Sequence, residues 1–520
     1  MKLFKVKQLP VCFKTFLHKL NSMAPSSFSW AWPCAVFMLV AYFVYILRKK
    51  SSLCLPPGPK GLPIVGNLFM LGALPHRVLA GFAQQYGPIM HLQLGFIHTI
   101  VISSPQAAEL FLRTYDRIFS GRPYNQAAGY ISYDTKGLTF SSYGSYWRNT
   151  RRVCALELLN HLKIDAFKHV RTDEMNLFIE SLKEASTAKV AVDLSTKLKG
   201  LNTDISFRMV LGKKLVHRAD QEKFSAVVHE GMHLAAFFNI ADYFPYVGAL
   251  NLQGKMKRIK AVHRFYDDIL DKIIEEHVRV GPGGGTPPFI DMMMSYMESK
   301  ENDFLKDRSN VKAIVLDMLL GAMDTASTAI EWVMAELIKH PSLMKKVRQE
   351  VDGVVGLDRM LDESDLVHLE YLDMVIKETF RIHPVAPLLI PHSSMEDCTV
   401  NGYQIPRNSR IIINTFAIGR DPEAWPDPDE FKPERFVGKN MDYKGSAFQF
   451  LPFGSGRRGC PGITMGVRVV RLVVAQLVHC FDWELPNGMV CTELDMDEDF
   501  GLTVARANPL LVIPTYRLRI

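Results

Sequence analysis

The sequence predicts a mainly helical fold with small β-sheets, built as one large domain behind an N-terminal membrane anchor. Three observations carry this expectation. Apolar residues recur with a helical period through most of 105–340, as in AIVLDMLLGAMDTASTAIEWVMAELIKH (313–340). Short alternating or β-branched runs occur before and after that region. A twenty-residue stretch near the N-terminus, 28–47, carries no charge. At 520 residues and 48% hydrophobic content the chain can bury an ample core, and no internal repeat divides it.

Residues 1–27 read as a basic extension holding Lys2, Lys5, Lys7, Lys14 and Lys19. The run FSWAWPCAVFMLVAYFVYIL (28–47) has the length of a transmembrane helix, with Trp30, Trp32 and Tyr45 near its ends. Arg48, Lys49 and Lys50 close it as a cytosolic flank. The upstream lysines blur the orientation, and translation from Met23 would remove them. The span is too long for a signal peptide and too apolar for a plastid transit peptide. LPPGPKGLPIVGN (55–67) follows, so 48–67 read as a basic flank and a stiff Pro/Gly-rich linker, and 68–520 as the catalytic domain.

Nine of the 61 Lys and Arg residues lie in the first 60 positions, which leaves 52 against 54 acidic residues in the body. A near-neutral body carries no nucleic-acid footprint. Eight scattered cysteines fit neither a disulfide framework nor a zinc site, and imply a reducing, cytosol-facing compartment. Beyond the linker, IMHLQLGFIHTIVI (89–102) reads as a hairpin around Gly95. VGPGGGTPP (280–288) breaks the helical region. Strand-like runs return at 399–406 and 410–416, the segment 420–436 is too proline-rich for regular structure, and strand and loop follow 491.

Cys460 stands in FGSGRRGCPG (453–462), where glycines strip the local packing and arginines raise the potential. A metal-ligating cysteine acts as thiolate, and three features would favour that charge here. They are N–H groups at Gly456, Gly459 and Gly462, the nearby arginines, and an apolar helix starting after the cysteine (462–481). A flat cofactor lying against the loop would explain the missing side chains.

Phe453, Gly456, Arg458, Cys460 and Gly462 match F-x-x-G-x-R-x-C-x-G, and the loop resembles the haem-ligand loop of cytochrome P450 enzymes. Other motifs follow in the family's order. KETFRIHP (377–384) supplies Glu378 and Arg381, which with Arg435 of FKPERF resemble the family's buried structural Glu–Arg–Arg cluster. WRNTRR (147–152) resembles the W-x-x-x-R motif, which implies that Trp147 and Arg151 reach a haem propionate, with Arg458 as second partner. His392 stands where relatives often carry arginine, as a third propionate contact. GAMDTAS (321–327) resembles the oxygen-binding helix segment, with Asp324 relaying protons and Thr325 bonding iron-bound oxygen. Alanine replaces the pattern's second glycine, at 322, and its last Thr/Ser, at 326.

The resemblance spans 55–520 and implies a cytochrome P450 fold of the plant microsomal type. The expected cofactor is haem, iron-protoporphyrin IX, ligated by Cys460, acting with O2. Electrons are expected from NADPH through NADPH–cytochrome P450 reductase, a diflavin partner docking near Arg457. The expected location is the endoplasmic reticulum membrane, single-pass, with the catalytic domain facing the cytosol. Expected pocket walls are Tyr130, Leu138, Phe238, Ala322, Met323, Val385, Leu388, Leu502 and Thr503. Their apolar character suits a terpenoid, with a phenylpropanoid or flavonoid as the alternative substrate. An oxygen-independent haem isomerase or dehydratase, and a non-catalytic haem sensor, are the rival classes. The Asp324–Thr325 pair weighs against both.

Overall fold

The computed structural model describes residues 34, 36–38, 53–214, 218–236, 239–244, 251, 253–280, 286–299, 303–305 and 307–520. Two compact units divide the chain, Met1–Cys54 and Leu55–Ile520. Of the expected anchor, Cys34, Val36, Phe37 and Met38 are helical and exposed; the rest of 28–47, the extension 1–27 and residues 48–52 lie outside the described residues.

The segment expected to be a linker, from Leu55 on, belongs to the second compact unit. The Pro/Gly segment is no free spacer, because it lies along the first strand. The Asn67 side chain accepts from Gln93 N (2.8 Å), and His91 N donates to Pro57 O (2.8 Å). A Cβ at Gly58 would sit 1.9 Å from His91 O, so only glycine allows this approach.

Helix α1 (Pro75–Tyr86) leads to strands β1 (Ile89–Leu94) and β2 (Ile97–Ile102), an antiparallel hairpin turning at Gly95 (φ 58°) as the alternation predicts. Next come α2 (Pro105–Glu109), α3 (Gln126–Ile131), α4 (Ser145–Glu157), α5 (His161–Ala166) and α6 (Lys168–Ala188). After β3 (Val192–Asp193), α7 (Leu194–Leu211) begins where the Asp193 carboxylate accepts from Thr196 N, and ends at Gly212 (φ 75°). Helices α8 (Arg218–Ala236), α9 (Ile240–Tyr243), α10 (Met256–Val280) and α11 (Phe289–Glu298) follow; the predicted breaker falls between the last two.

Helix α12 (Arg308–Lys339) is the axis of the core and packs against α7 and, later in the chain, α14 (Glu370–Ile382) and α16 (Ile463–Cys480). Helix α13 (Pro341–Val355) and the strands β4 (His392–Ser393), β5 (Cys398–Val400), β6 (Tyr403–Ile405) and β7 (Arg410–Ile413) lie between them in sequence. The chain closes with β8 (Phe481–Glu484), β9 (Glu498–Asp499), β10 (Ala505–Arg506) and β11 (Leu511–Tyr516).

The four-stranded sheet runs β1-β2-β7-β4, with β2 and β7 parallel and Ile102 opposite Ile413. Both faces are buried: Ile100, Ile102, Ile411 and Ile413 pack on Phe111 and Phe119, and Met90, Val101 and Ile412 pack on Leu79 and its neighbours. The run read as a strand over 410–416 stops at Ile413. Asn414 caps the short helix α15 (Thr415–Ile418), its side chain accepting from Ala417 N and donating to His76 O (3.0 Å). Among the described residues α12 and α16 are long and apolar enough to cross a membrane, and both are mostly buried inside the body.

Candidate active site

The cysteine loop is closed by Cys460 N donating to Phe453 O (2.9 Å). Gly454 and Gly456 take positive φ (69° and 67°), and a Cβ at Gly456 would overlap Leu112 O. Helix α16 begins three residues after the sulfur without a side-chain cap, so its N-terminus opens toward the loop. The Gly462 N–H and the Arg151 guanidinium both favour the Cys460 thiolate, but burial outweighs them and pushes the thiol up. Sequence had placed three glycine N–H groups on the sulfur. Gly459 N–H instead donates to Gly456 O (3.1 Å), because the loop tightens into a 3-10 turn there.

Arginines gather beside this loop. Arg458 donates Nε to Ser120 O (2.8 Å) and Nη2 to Ser141 O (2.6 Å), while its buried Nη1 has no partner. Arg151 Nη2 donates to Gly459 O (2.7 Å). Arg122 donates to Thr139 O, Ile390 O and Pro391 O (2.6–2.9 Å). Desolvation lowers all three guanidiniums, Arg458 to about 10. Among the described residues none of the three is hydrogen-bonded to a carboxylate; Asp116 instead accepts from Arg457 N and Nη1 (3.2–3.3 Å).

Two of the expected propionate partners are engaged elsewhere. The buried Trp147 indole N–H donates to Leu138 O (3.0 Å), and its ring lies under Arg458 (4.5 Å) and Arg151 (5.6 Å). It supports the two arginines by cation–π contact. His392 is buried, with Nδ1 2.9 Å from Phe119 O. Desolvation, then the Arg122 and Arg458 charges, hold it down to about 3, so the ring is neutral and Nδ1–H is its only donor. The cation adjoining its strand is Arg122, whose Nη1 donates to Pro391 O (2.9 Å).

The Glu–Arg–Arg cluster forms. Arg381 grips Glu378 bidentately (2.8 Å twice), and Arg435 Nε and Lys432 N–H add 2.8 Å bonds to Oε1. Remaining guanidinium donors reach Gly419 O, Pro428 O, Glu430 O, Pro426 O and Asp427 O. The cluster thus fixes the proline-rich segment 419–436, which is irregular as far as Lys432. Against the expectation from its prolines, the segment then closes in a 3-10 turn over Pro433–Phe436, where Pro433 sits at the first position. The cluster reaches the cysteine loop through Phe380 of α14, whose ring meets Phe453 edge-on at 5.9 Å.

Helix α12 is buried over Val311–Leu319 and Ala326–Ile338, but opens between Leu320 and Thr325, with Gly321 exposed. A Cβ added at Gly321 would meet nothing within 4 Å. Thr325 Oγ1 donates to Gly321 O (2.6 Å), and Asp324 accepts a hydrogen bond from Thr503 Oγ1. Ala322, Val385, Leu388, Leu502 and Thr503 are half-buried. Met323 and Leu138 belong to the closed core, because the helix turns 323 away from the open stretch and Leu138 packs by Trp147. Tyr130 is 39% exposed, and Phe238 lies outside the described residues.

Sequence reading missed Arg122 and Asp317. Asp317 accepts from Thr139 N (2.8 Å), and burial pushes it up to about 6. A lone carboxylate inside the apolar run AIVLDMLLG was the available signal.

Desolvated guanidiniums without a carboxylate, one with an orphaned Nη1, suit an anionic group, and a thiol kept neutral by burial ionises when it binds a cation. A haem would answer both, with Arg458 and Arg151 to hold its propionates and Cys460 its iron. Residues so disposed define a haem-thiolate oxidoreductase. The chain belongs to the cytochrome P450 family, whose profile matches residues 56–511. It is 50% identical over 502 residues to cytochrome P450 CYP736A12 of Panax ginseng, covering 94% of this chain and all of that one. It is 39% identical over 497 residues to the flavonoid 3'-monooxygenase of Petunia hybrida, covering 93% and 95%. Among solved structures, a zebra fish cytochrome P450 with abiraterone superimposes with a TM-score of 0.72 at 26% identity, over 86% of this chain and all of that one. The protein is a monooxygenase of the plant P450 type, and its cofactor is haem iron with O2 and reductase-supplied electrons.

Proposed function

We propose that this enzyme hydroxylates an apolar plant secondary metabolite at the endoplasmic reticulum membrane, drawing NADPH electrons through a diflavin reductase. The observation that carries the reading is the open stretch of α12 between Leu320 and Thr325, which brings an acid and an alcohol out of the buried core helix. Bound haem supplies dioxygen activation and transfer of one oxygen atom to carbon. Cys460 holds the metal, and Arg458 and Arg151 hold its carboxylates. Asp324 and Thr325 hold and pass protons from the helix side.

The half-buried lining residues Ala322, Val385, Leu388 and Leu502 are apolar, and the polar Thr503 and Asp324 bond to each other. A terpenoid skeleton held by shape fits that lining. The second reading, a phenolic, is favoured by relatives named flavonoid 3'-monooxygenase at 39–40% identity. Microsomes containing the protein and a reductase, incubated with both substrate classes, should yield a product heavier by one oxygen, with NADPH required. Turnover without NADPH would overturn the monooxygenase assignment, and conversion of phenolics alone would overturn the terpenoid.

A further inference from the structure

Thr503 lies in the five residues, 500–504, that join β9 to β10. The loop is pinned on both sides of its base. Val504 N donates to Val385 O (2.8 Å), and Val504 O accepts from Trp332 Nε1 (2.9 Å). Trp332 is itself fixed, stacked on the His383 ring at 4.1 Å with 4° between planes. On the other side, Glu498 binds His76 Nε2 (3.0 Å) and Arg77 Nε (2.7 Å). The turn between is tight, since a Cβ at Gly501 would lie 3.0 Å from Thr503 O. A residue so held has little freedom, and its hydroxyl donates to Asp324 Oδ2.

The two polar side chains of the open α12 stretch are therefore constrained differently. Thr325 is tied within its own helix, to Gly321 O. Asp324 is tied to another element, 179 positions along the chain. A carboxylate on a helix surface otherwise samples several rotamers, and only some present it to the open stretch. We infer that Thr503 is a positioning residue for Asp324, so the loop that carries Leu502 against the substrate also sets the acid that delivers protons. The inference rests on reading Asp324 as the proton donor. It adds that donor's dependence on a hydroxyl from the C-terminal loop.

The test compares Thr503→Val, which keeps shape and loses the hydroxyl, with Thr503→Ser, which keeps the hydroxyl. Three quantities are measured on the haem-loaded enzyme: product formed per NADPH, the solvent deuterium isotope effect, and hydrogen exchange of peptide 498–506 without NADPH. Thr503→Val should lower product per NADPH about tenfold, since a misplaced acid loses much of its effect. It should also raise the isotope effect and speed exchange of the loop, and Thr503→Ser should restore all three. Asp324→Asn should match Thr503→Val, and the double variant should be no worse than either. Parental coupling in Thr503→Val alongside loss in Asp324→Asn would overturn the positioning role and leave the acid's role standing. Parental coupling in both would overturn the acid's role. A weaker substrate affinity with unchanged coupling would make Thr503 a substrate contact and also overturn the inference.

Discussion

Replacing Glu378 by Gln keeps its shape and removes the negative charge at the centre of the Glu–Arg–Arg cluster. In the parent, Oε1 accepts from Arg381 Nη2, Arg435 Nε and Lys432 N, and Oε2 accepts from Arg381 Nε. The Gln amide would turn two donors toward guanidinium or backbone N–H groups, leaving a buried cation unpaired. Removing one partner of such a pair costs about 3–5 kcal/mol. That is roughly two to three and a half powers of ten in the folding equilibrium. Replacing all three charges by apolar residues would not recover it, because five backbone carbonyls between Gly419 and Glu430 would lose their donors. Arg381→Lys should fail as well: one ammonium has three donors and cannot serve both Glu378 oxygens together with Gly419 O and Pro428 O. The assay is guanidinium unfolding of the haem-loaded protein followed by far-UV circular dichroism, with haem content measured after purification. A Glu378→Gln unfolding free energy lowered by less than about 1 kcal/mol, the value of one ordinary hydrogen bond, would refute this account.

Cys460→Ser should abolish the red-shifted Soret band of the reduced CO complex; a retained band would reassign the ligand. Thr325→Ala should keep haem content and divert NADPH electrons from product to peroxide, which a parental product-to-peroxide ratio would contradict. Asp317 is protonated in the folded chain up to about pH 6, against an ordinary value of 3.8. Between those values the unfolded chain releases a proton that the folded chain keeps, so stability falls as pH rises through the window, by about 3 kcal/mol in all, and levels off above it. Asp317→Asn should flatten that slope in guanidinium midpoints taken from pH 4 to 7, and a parallel pair of curves would rule the burial argument out. Leu388→Val and Leu502→Ala should redistribute products among neighbouring carbons more than they change turnover, since a methylene shifts a pose by roughly 1–3 kcal/mol. A uniform loss with one unchanged product would point to a hydrogen-bonded phenolic instead.

Periodicity and motif order made the helices, the β1–β2 hairpin and the cysteine loop legible, because each depends on residues close in sequence. Glu378 and Arg381 were legible for the same reason, being one helical turn apart. What sequence left out depends on distant backbone. Arg122 is defined by the carbonyls of Thr139, Ile390 and Pro391, and Trp147 by that of Leu138. Backbone carbonyls have no residue type, so no pattern announces them. The neutrality of His392 was likewise hidden, because burial sets it first and then the charges of Arg122 and Arg458, neither of them near it in sequence. The helix-facing partner of Asp324 was named only as a pocket wall, since a threonine in a loop carries no sign of the carboxylate it binds.

The parallel pairing of β2 with β7 joins Ile102 to Ile413, more than 300 residues later. During synthesis at about 5–20 residues per second, β2 waits roughly 15–60 s for that partner. An isolated hairpin is marginal in water, and this one exposes a strand whose Ile100 and Ile102 end fully buried. The nascent chain thus carries an open, apolar sheet edge for most of its time on the ribosome, a surface for chaperones or for mispairing. Cys460 emerges later still, after β7. The order of synthesis therefore supplies the last strand of this pairing before the metal ligand exists, and sheet closure can precede cofactor capture.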